Sequence, residues 1–396
     1  MKHFSTWMKL VRKSIIIKQH SLTLGGPPVS SNSIKTTLLI LGITMGFLGL
    51  VEGMGRVAIR YVELKRPSGI FGEKILSHQE PMLGFGLKKG VNEDMGGWAV
   101  KTNLLGFRDS ELTFEKPSDE IRIFIIGGST VFGWGVNQPE TIPSIIQNRM
   151  KEFSGKRIRI INAGIPWYAS WHEAALVFFK ISEMNPDWII SVDALNDTAQ
   201  GVAPLWEPVS RGFLDPPTKV AFERLHTRGG ARLLFSDLLS LSQTYTYFSS
   251  KLKGREGISK GSYHPELWDQ YVSLKEKIEV LSSAKGIRFT TFFQPVIVTG
   301  KNLTEEESRN NETNMRLPDF AEVFKNTYLE GEKRGLAAKT FRFISLKDAF
   351  KEVKETIYID GQHYNARGNE ILANEIIVKE ILPNLKKLTT ESNSRT

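Results

Sequence analysis

Not one of the 396 residues is cysteine, which excludes disulfide bridges, a thiol nucleophile and a thiolate-held metal. His78, His226 and His264 stand at spacings that build no metal site, so no metal is expected. Acidic residues are missing from one stretch in particular: before Thr36 there are Lys2, Lys9, Arg12, Lys13, Lys18 and Lys35, with no Asp or Glu. Those six account for most of the net charge of +9. The rest of the chain is close to balanced, and no basic face with interleaved aromatics is left to bind nucleic acid.

Charge of either sign is absent from 36–51, T-T-L-L-I-L-G-I-T-M-G-F-L-G-L-V. With flanking residues the apolar stretch approaches the ~20 residues that a bilayer requires, and Lys35 and Arg56 can snorkel from its ends. The basic tail predicts an N-terminus in the cytoplasm and the remainder outside, a single-pass protein of the cytoplasmic membrane. A cleaved signal peptide fits less well, because Val51-Glu52-Gly53-Met54-Gly55 is a poor cleavage site.

The chain as a whole has ordinary globular composition, 40% hydrophobic and 24% charged. The expected organisation is a basic tail over 1–35, an anchor over 36–58, a connecting segment of short strands and loops over 59–114, one large domain over 115–387 and a polar tail over 388–396. Within the large domain, short apolar runs predict strands at 121–126, 158–161, 188–192, 288–293 and 341–346. Helical stretches fall at 139–153, 170–184, 265–284, 318–334 and 366–385. Strands alternating with helices argue for a parallel sheet covered on both faces, a three-layer α/β/α fold. Residues 200–262, rich in Pro, Gly and Ser, interrupt the alternation as an insertion, a candidate lid or substrate wall.

Active sites of such sheets gather at the carboxyl ends of strands. After the first predicted strand comes Gly127-Gly128-Ser129-Thr130; after the second, Asn162-Ala163-Gly164-Ile165-Pro166-Trp167; after the third, Asp193-Ala194-Leu195-Asn196-Asp197. Before the last helix stand Asp360 and His363, three apart. A carboxylate at that spacing can hold one imidazole nitrogen while the other takes a proton from a serine hydroxyl. Each residue also has a plainer reading. Ser129 can cap its helix, Asn196 can bond its own turn, and Asp360 and His363 can be a turn acid and a solvated base. His172 reads as a helix-surface or pocket-wall residue. Trp134 and Trp167 read as wall of a sugar or acyl pocket, or as core.

Taken in order, the strand-GGST, INAG, ND and DxxH blocks resemble the four sequence blocks of the SGNH/GDSL hydrolases, over roughly 115–385. The resemblance implies a flavodoxin-like α/β/α fold with Ser129 as nucleophile, His363 as general base and acid, and Asp360 as its orienting partner. It implies an oxyanion hole that includes Asn196 and the Ser129 N–H. The family's further donor is a glycine N–H in the second block; that position is Trp167 here, with Gly164 three residues earlier. Ala194 stands where the family prefers glycine, and Gly128 where it often has aspartate.

The function so implied is an anchored esterase that deacylates an O-acylated envelope or exported polysaccharide, with envelope polysaccharide machinery as its setting; its serine chemistry implies no cofactor. An O-acyltransferase with the same triad, a lipid-ester or thioester hydrolase, and a degenerate glycan-binding or assembly module are the alternatives.

Overall fold

In a computed structural model, residues 74–77, 82–201, 266–314 and 318–385 are described, with isolated positions at 42, 46, 49, 53, 54 and 388. The chain divides into Met1–Arg60 and Tyr61–Thr396. The anchor expected over 36–58 lies outside the described residues apart from five helical positions, as do most of the insertion over 200–262 and the polar tail. Among the described residues, no helix is long and apolar enough to cross a membrane.

The second unit opens with two short hairpins. β1 (Leu76–Ser77) pairs with β2 (Gly86–Leu87), and β3 (Asn92–Asp94) with β4 (Ala99–Lys101), both antiparallel. The central sheet begins at β5 (Glu120–Gly127), and the short helix α1 (Ser129–Phe132) succeeds it at once. Then come α2 (Ile142–Arg149), the two-residue β6 (Glu152–Phe153), β7 (Lys156–Gly164), α3 (Ser170–Phe179), β8 (Trp188–Asp193) and α4 (Leu195–Gly201). From residue 266 onward stand α5 (Glu266–Ala284), β9 (Arg288–Phe293), α6 (Glu305–Asn314), α7 (Pro318–Ala337), β10 (Arg342–Ser345) and α8 (Ala366–Ile376).

The sheet order is β10-β9-β8-β5-β7-β6, parallel throughout except for β6 at the edge. Counting only parallel strands in chain order, this is 2-1-3-4-5, the flavodoxin-like order. Strand β5 is buried along its whole length, and its side chains alternate between two cores with period two. Ile121, Ile123 and Ile125 pack with Ile142 and Ile146 of α2 and Leu372 and Ile376 of α8. Phe124 and Ile126 face the opposite way, toward Leu176 and Val177 of α3 and Ile278 of α5. Helices thus cover both faces, as the alternation of elements requires.

The structure departs from expectation at four places, one being the helix expected at 170–184, which ends at Phe179 and is followed by a 3-10 turn over Ile181–Met184. The helix expected at 139–153 stops at Arg149, because Ser154 and Gly155 turn with φ of 52° and 74° and pair β6 with β7. Helix α6 is one that no apolar periodicity predicts. The segment expected to connect anchor and domain is no mere connection: between Ile75 and Phe107 it supplies Phe85, Leu87 and Val100 to the same core as Phe124 and Ile126.

Candidate active site

At the carboxyl end of β5 the chain must turn sharply without side chains. A Cβ on Gly127 would lie 2.3 Å from the Val192 carbonyl oxygen, and one on Gly128 would lie 2.6 Å from Asn196 Nδ2. The turn sets Ser129 as the first residue of α1, buried but for 8% of its surface. Its side chain caps nothing there, since Gly128 is the N-cap. Arg108, wholly buried, braces the far end of α1 from the N-terminal segment. Its guanidinium donates to the carbonyls of Phe132 (2.8 Å), Gly133 (2.6 Å), Ala99 (2.8 Å) and Val136 (2.7 Å). Burial drives its pKa down to about 9, against the pull of Glu140.

From 234 positions along the chain, His363 meets Ser129, with Nε2 2.7 Å from the serine Oγ. Its Nδ1 lies 2.7 Å from Asp360 Oδ2. The second Asp360 oxygen accepts the main-chain N–H groups of Gln362 and His363, each at 2.7 Å. Burial works to raise the Asp360 carboxyl, but the His363 ring and these N–H groups outweigh it and hold the carboxyl below its ordinary range. The three-residue spacing works as expected because the turn is closed: Tyr358 and Tyr364 bridge antiparallel, and Ile359 N–H donates to the His363 carbonyl at 3.0 Å. Just beyond, Asn365 caps α8 by accepting from Gly368 N–H at 2.9 Å.

The loop's other support comes from a residue with no signal in the sequence beyond its place in an acidic run. Glu307 on α6 is fully buried. One oxygen accepts from the N–H groups of Ile357 (2.8 Å) and Tyr358 (3.1 Å), the other from Thr304 N–H (2.9 Å) and Lys301 Nζ (2.6 Å). Burial opposes ionisation, yet those donors keep the Glu307 carboxyl below its ordinary range.

Asn196, in the first turn of α4, donates Nδ2 to the Tyr168 carbonyl at 2.7 Å, a partner 28 positions away rather than in its own turn. Ser129, Gly128, Asn196, Tyr168 and Gln294 line a cavity of about 10 Å³, room for a single water-sized atom. The cavity has room for one oxygen atom beside Ser129. The Asn196 amide carries two N–H groups, so the bond to Tyr168 leaves one to donate to such an oxygen.

The two positions at which the resembled blocks carry glycine keep a glycine-like backbone. Trp167 has φ of 74° and Ala194 φ of 107°, in the left-handed region that residues with a Cβ avoid. Gly164, expected near the oxyanion, is corrected to a packing role. Its N–H donates to Asn162 Oδ1 at 3.1 Å, and a Cβ there would lie 2.2 Å from the Phe132 nitrogen. Gly128 serves by letting Asn196 approach.

Trp134 stacks on the His363 ring, centroids 5.9 Å apart at 27°, and packs against Trp98 at 5.5 Å. His172 is buried among Tyr168, Trp171 and Phe85. Burial depresses its pKa to about 3, so the ring is neutral. A larger cleft of about 940 Å³ beside Gly300 and α7 shares no lining residue with the triad. Among the described residues no group of His, Asp and Glu is arranged to hold a metal ion.

No protein-family model matches the chain, and no curated protein matches it. Among solved structures it is similar to an acetylxylan esterase from Geobacillus stearothermophilus, 14% identical over 65% of this chain and 92% of that one, TM-score 0.35. A lipolytic protein of the G-D-S-L family from Desulfitobacterium hafniense is 8% identical over 64% of this chain and 96% of its own, TM-score 0.36. An acylhydrolase from Bacteroides fragilis is 14% identical over 68% and 88%, TM-score 0.36. Likenesses this faint carry no weight for the chemistry, which stands on the distances above.

Proposed function

We propose that this chain is a serine esterase of the SGNH type, removing a short acyl group from an O-acylated polysaccharide outside the cytoplasmic membrane. One observation carries the reading: the Ser129–His363–Asp360 relay, closed at 2.7 Å on both sides of the imidazole. His363 Nε2 accepts the Ser129 proton as Oγ attacks the ester carbonyl. The tetrahedral oxyanion lies against Asn196, and His363 then returns the proton to the departing sugar oxygen. Water, deprotonated by the same imidazole, clears the acyl-serine. Asp360 holds Nδ1 protonated and balances the imidazolium.

The close quarters around Ser129 support a small acyl group such as acetyl. The half-buried Trp134, stacked on His363, and Trp98, packed against Trp134, support a substrate with a flat apolar face, as a pyranose has. The uncharged run over 36–51 behind an all-basic tail supports a single-pass anchor with the domain outside. Membrane fractionation with protease protection tests that placement; a protease-shielded domain in intact spheroplasts would reverse it.

The chemistry is tested with a fluorophosphonate probe and with p-nitrophenyl acetate. Wild type should be labelled at Ser129 and turn over ester, while Ser129→Ala should lose labelling and about 10⁴-fold or more in kcat. An unlabelled wild type would make the domain a binding module. Transfer to an added glycan without net hydrolysis would make it an acyltransferase.

A further inference from the structure

Beneath the oxyanion loops lies a set of buried ionisable groups that the acyl chemistry does not use. Lys275 of α5 is fully buried, and its Nζ donates to Glu173 Oε2 (2.8 Å), Ser191 Oγ (2.8 Å) and the Asp193 carboxylate. The other Asp193 oxygen accepts from the Tyr271 hydroxyl at 2.7 Å. Asp197 accepts from the main-chain N–H of Ser170 at 3.1 Å and from its hydroxyl at 2.5 Å. Glu173, Asp193, Asp197 and Lys275 are all buried.

The ties bracket one strained position and follow the other. Asp193 immediately precedes Ala194 and Asp197 stands three residues later, with Asn196 between them. Ser170 lies three residues after Trp167. An L-residue stays in the left-handed region only where its surroundings over-determine it, and here the ties on both sides of Ala194 do so. Mere stability does not account for the cluster, because buried ion pairs are no better stabilisers than apolar packing of equal volume.

We infer that Lys275 and Tyr271, which hold Asp193, together with Asp197, which holds Ser170, are positioning residues, fixing the left-handed Ala194 and Trp167 loops so that Asn196 sits beside Ser129. The inference rests on Ser129 being the nucleophile.

The test is a double-mutant cycle assayed with p-nitrophenyl acetate and by the rate of fluorophosphonate labelling. Tyr271→Phe keeps the ring and removes one tie; it should lower kcat about 10-fold with KM within about twofold, and slow labelling in parallel. Lys275→Met should lower kcat about 100-fold. In the Ala194→Gly background the loss caused by Tyr271→Phe should shrink to about twofold, because glycine holds the left-handed backbone unaided. Should Lys275→Met fail to fold, Tyr271→Phe and its cycle with Ala194→Gly decide the matter alone.

Wild-type kcat in folded Tyr271→Phe, or a loss equally large in both backgrounds, overturns the inference while leaving the esterase reading intact. Absence of Ser129-dependent labelling in the wild type overturns both.

Discussion

Gly128 shows how much one missing side chain can decide. The hydrolases that the sequence blocks resemble often carry aspartate there, but here any Cβ would press on the Asn196 amide at 2.6 Å. Gly128→Ala should therefore push Asn196 off the oxyanion cavity and lower kcat about 10- to 100-fold with little change in KM, as steady-state kinetics on p-nitrophenyl acetate would show. His172 bears on stability instead. The unfolded chain takes up its proton near pH 6.5, whereas the folded chain resists until about 3. The unfolded state then binds more protons across that window, so stability is complete above 6.5 and declines as pH falls toward 3. Urea midpoints of His172→Phe should decline less over that range, by up to one proton in slope. Residue type alone does not reveal this: an imidazole in a helix gives no sign of whether aromatic rings will enclose it.

Two short elements at the site are held from outside. The four-residue α1 cannot sustain itself by helix propensity; Arg108 braces its carbonyls from a segment that precedes the sheet. The Asp360–His363 turn is similarly held by Glu307 of α6. Glu307→Gln would set an amide N–H₂ or a weaker acceptor against the N–H groups of Ile357 and Tyr358. The expected result is a drop in kcat of about 10-fold, KM nearly unchanged, and faster proteolysis around 355–365. Helix α6 escapes a reading by periodicity because E-E-E-S-R-N-N-E-T-N has no apolar stripe. What it offers is an acidic first turn suited to a helix N-terminus, and one of those acids is spent inside the protein.

At the scale of the whole molecule, the boundary expected at 115 does not mark an end of packing. Phe85 and Phe107 are buried in one core with β5, each worth about 1.5–3 kcal/mol, and Arg108 satisfies four carbonyls besides. Set against a total stability of about 5–15 kcal/mol, their loss is decisive. A chain beginning at 115 should lack a cooperative thermal transition by circular dichroism, whereas one beginning at 61 should retain it.

The parallel sheet, its two covering layers, the placing of Ser129 and Asn196 at strand ends and that of Asp360 and His363 just before the last helix are all legible in the order of residues. Short apolar runs and Gly-rich turns are local properties that brief stretches express by themselves. Only the tertiary structure decided which groups support them. Arg108 reaches carbonyls 24 and 25 positions on, Glu307 holds N–H groups 50 and 51 positions on, and Lys275 reaches back 82 positions to Asp193. Buried polar partners are chosen by proximity in space, and a sequence carries no period or spacing that records it. The left-handed Trp167 and Ala194 belong to the same class, since their residue types argue against a backbone that the packing around them imposes.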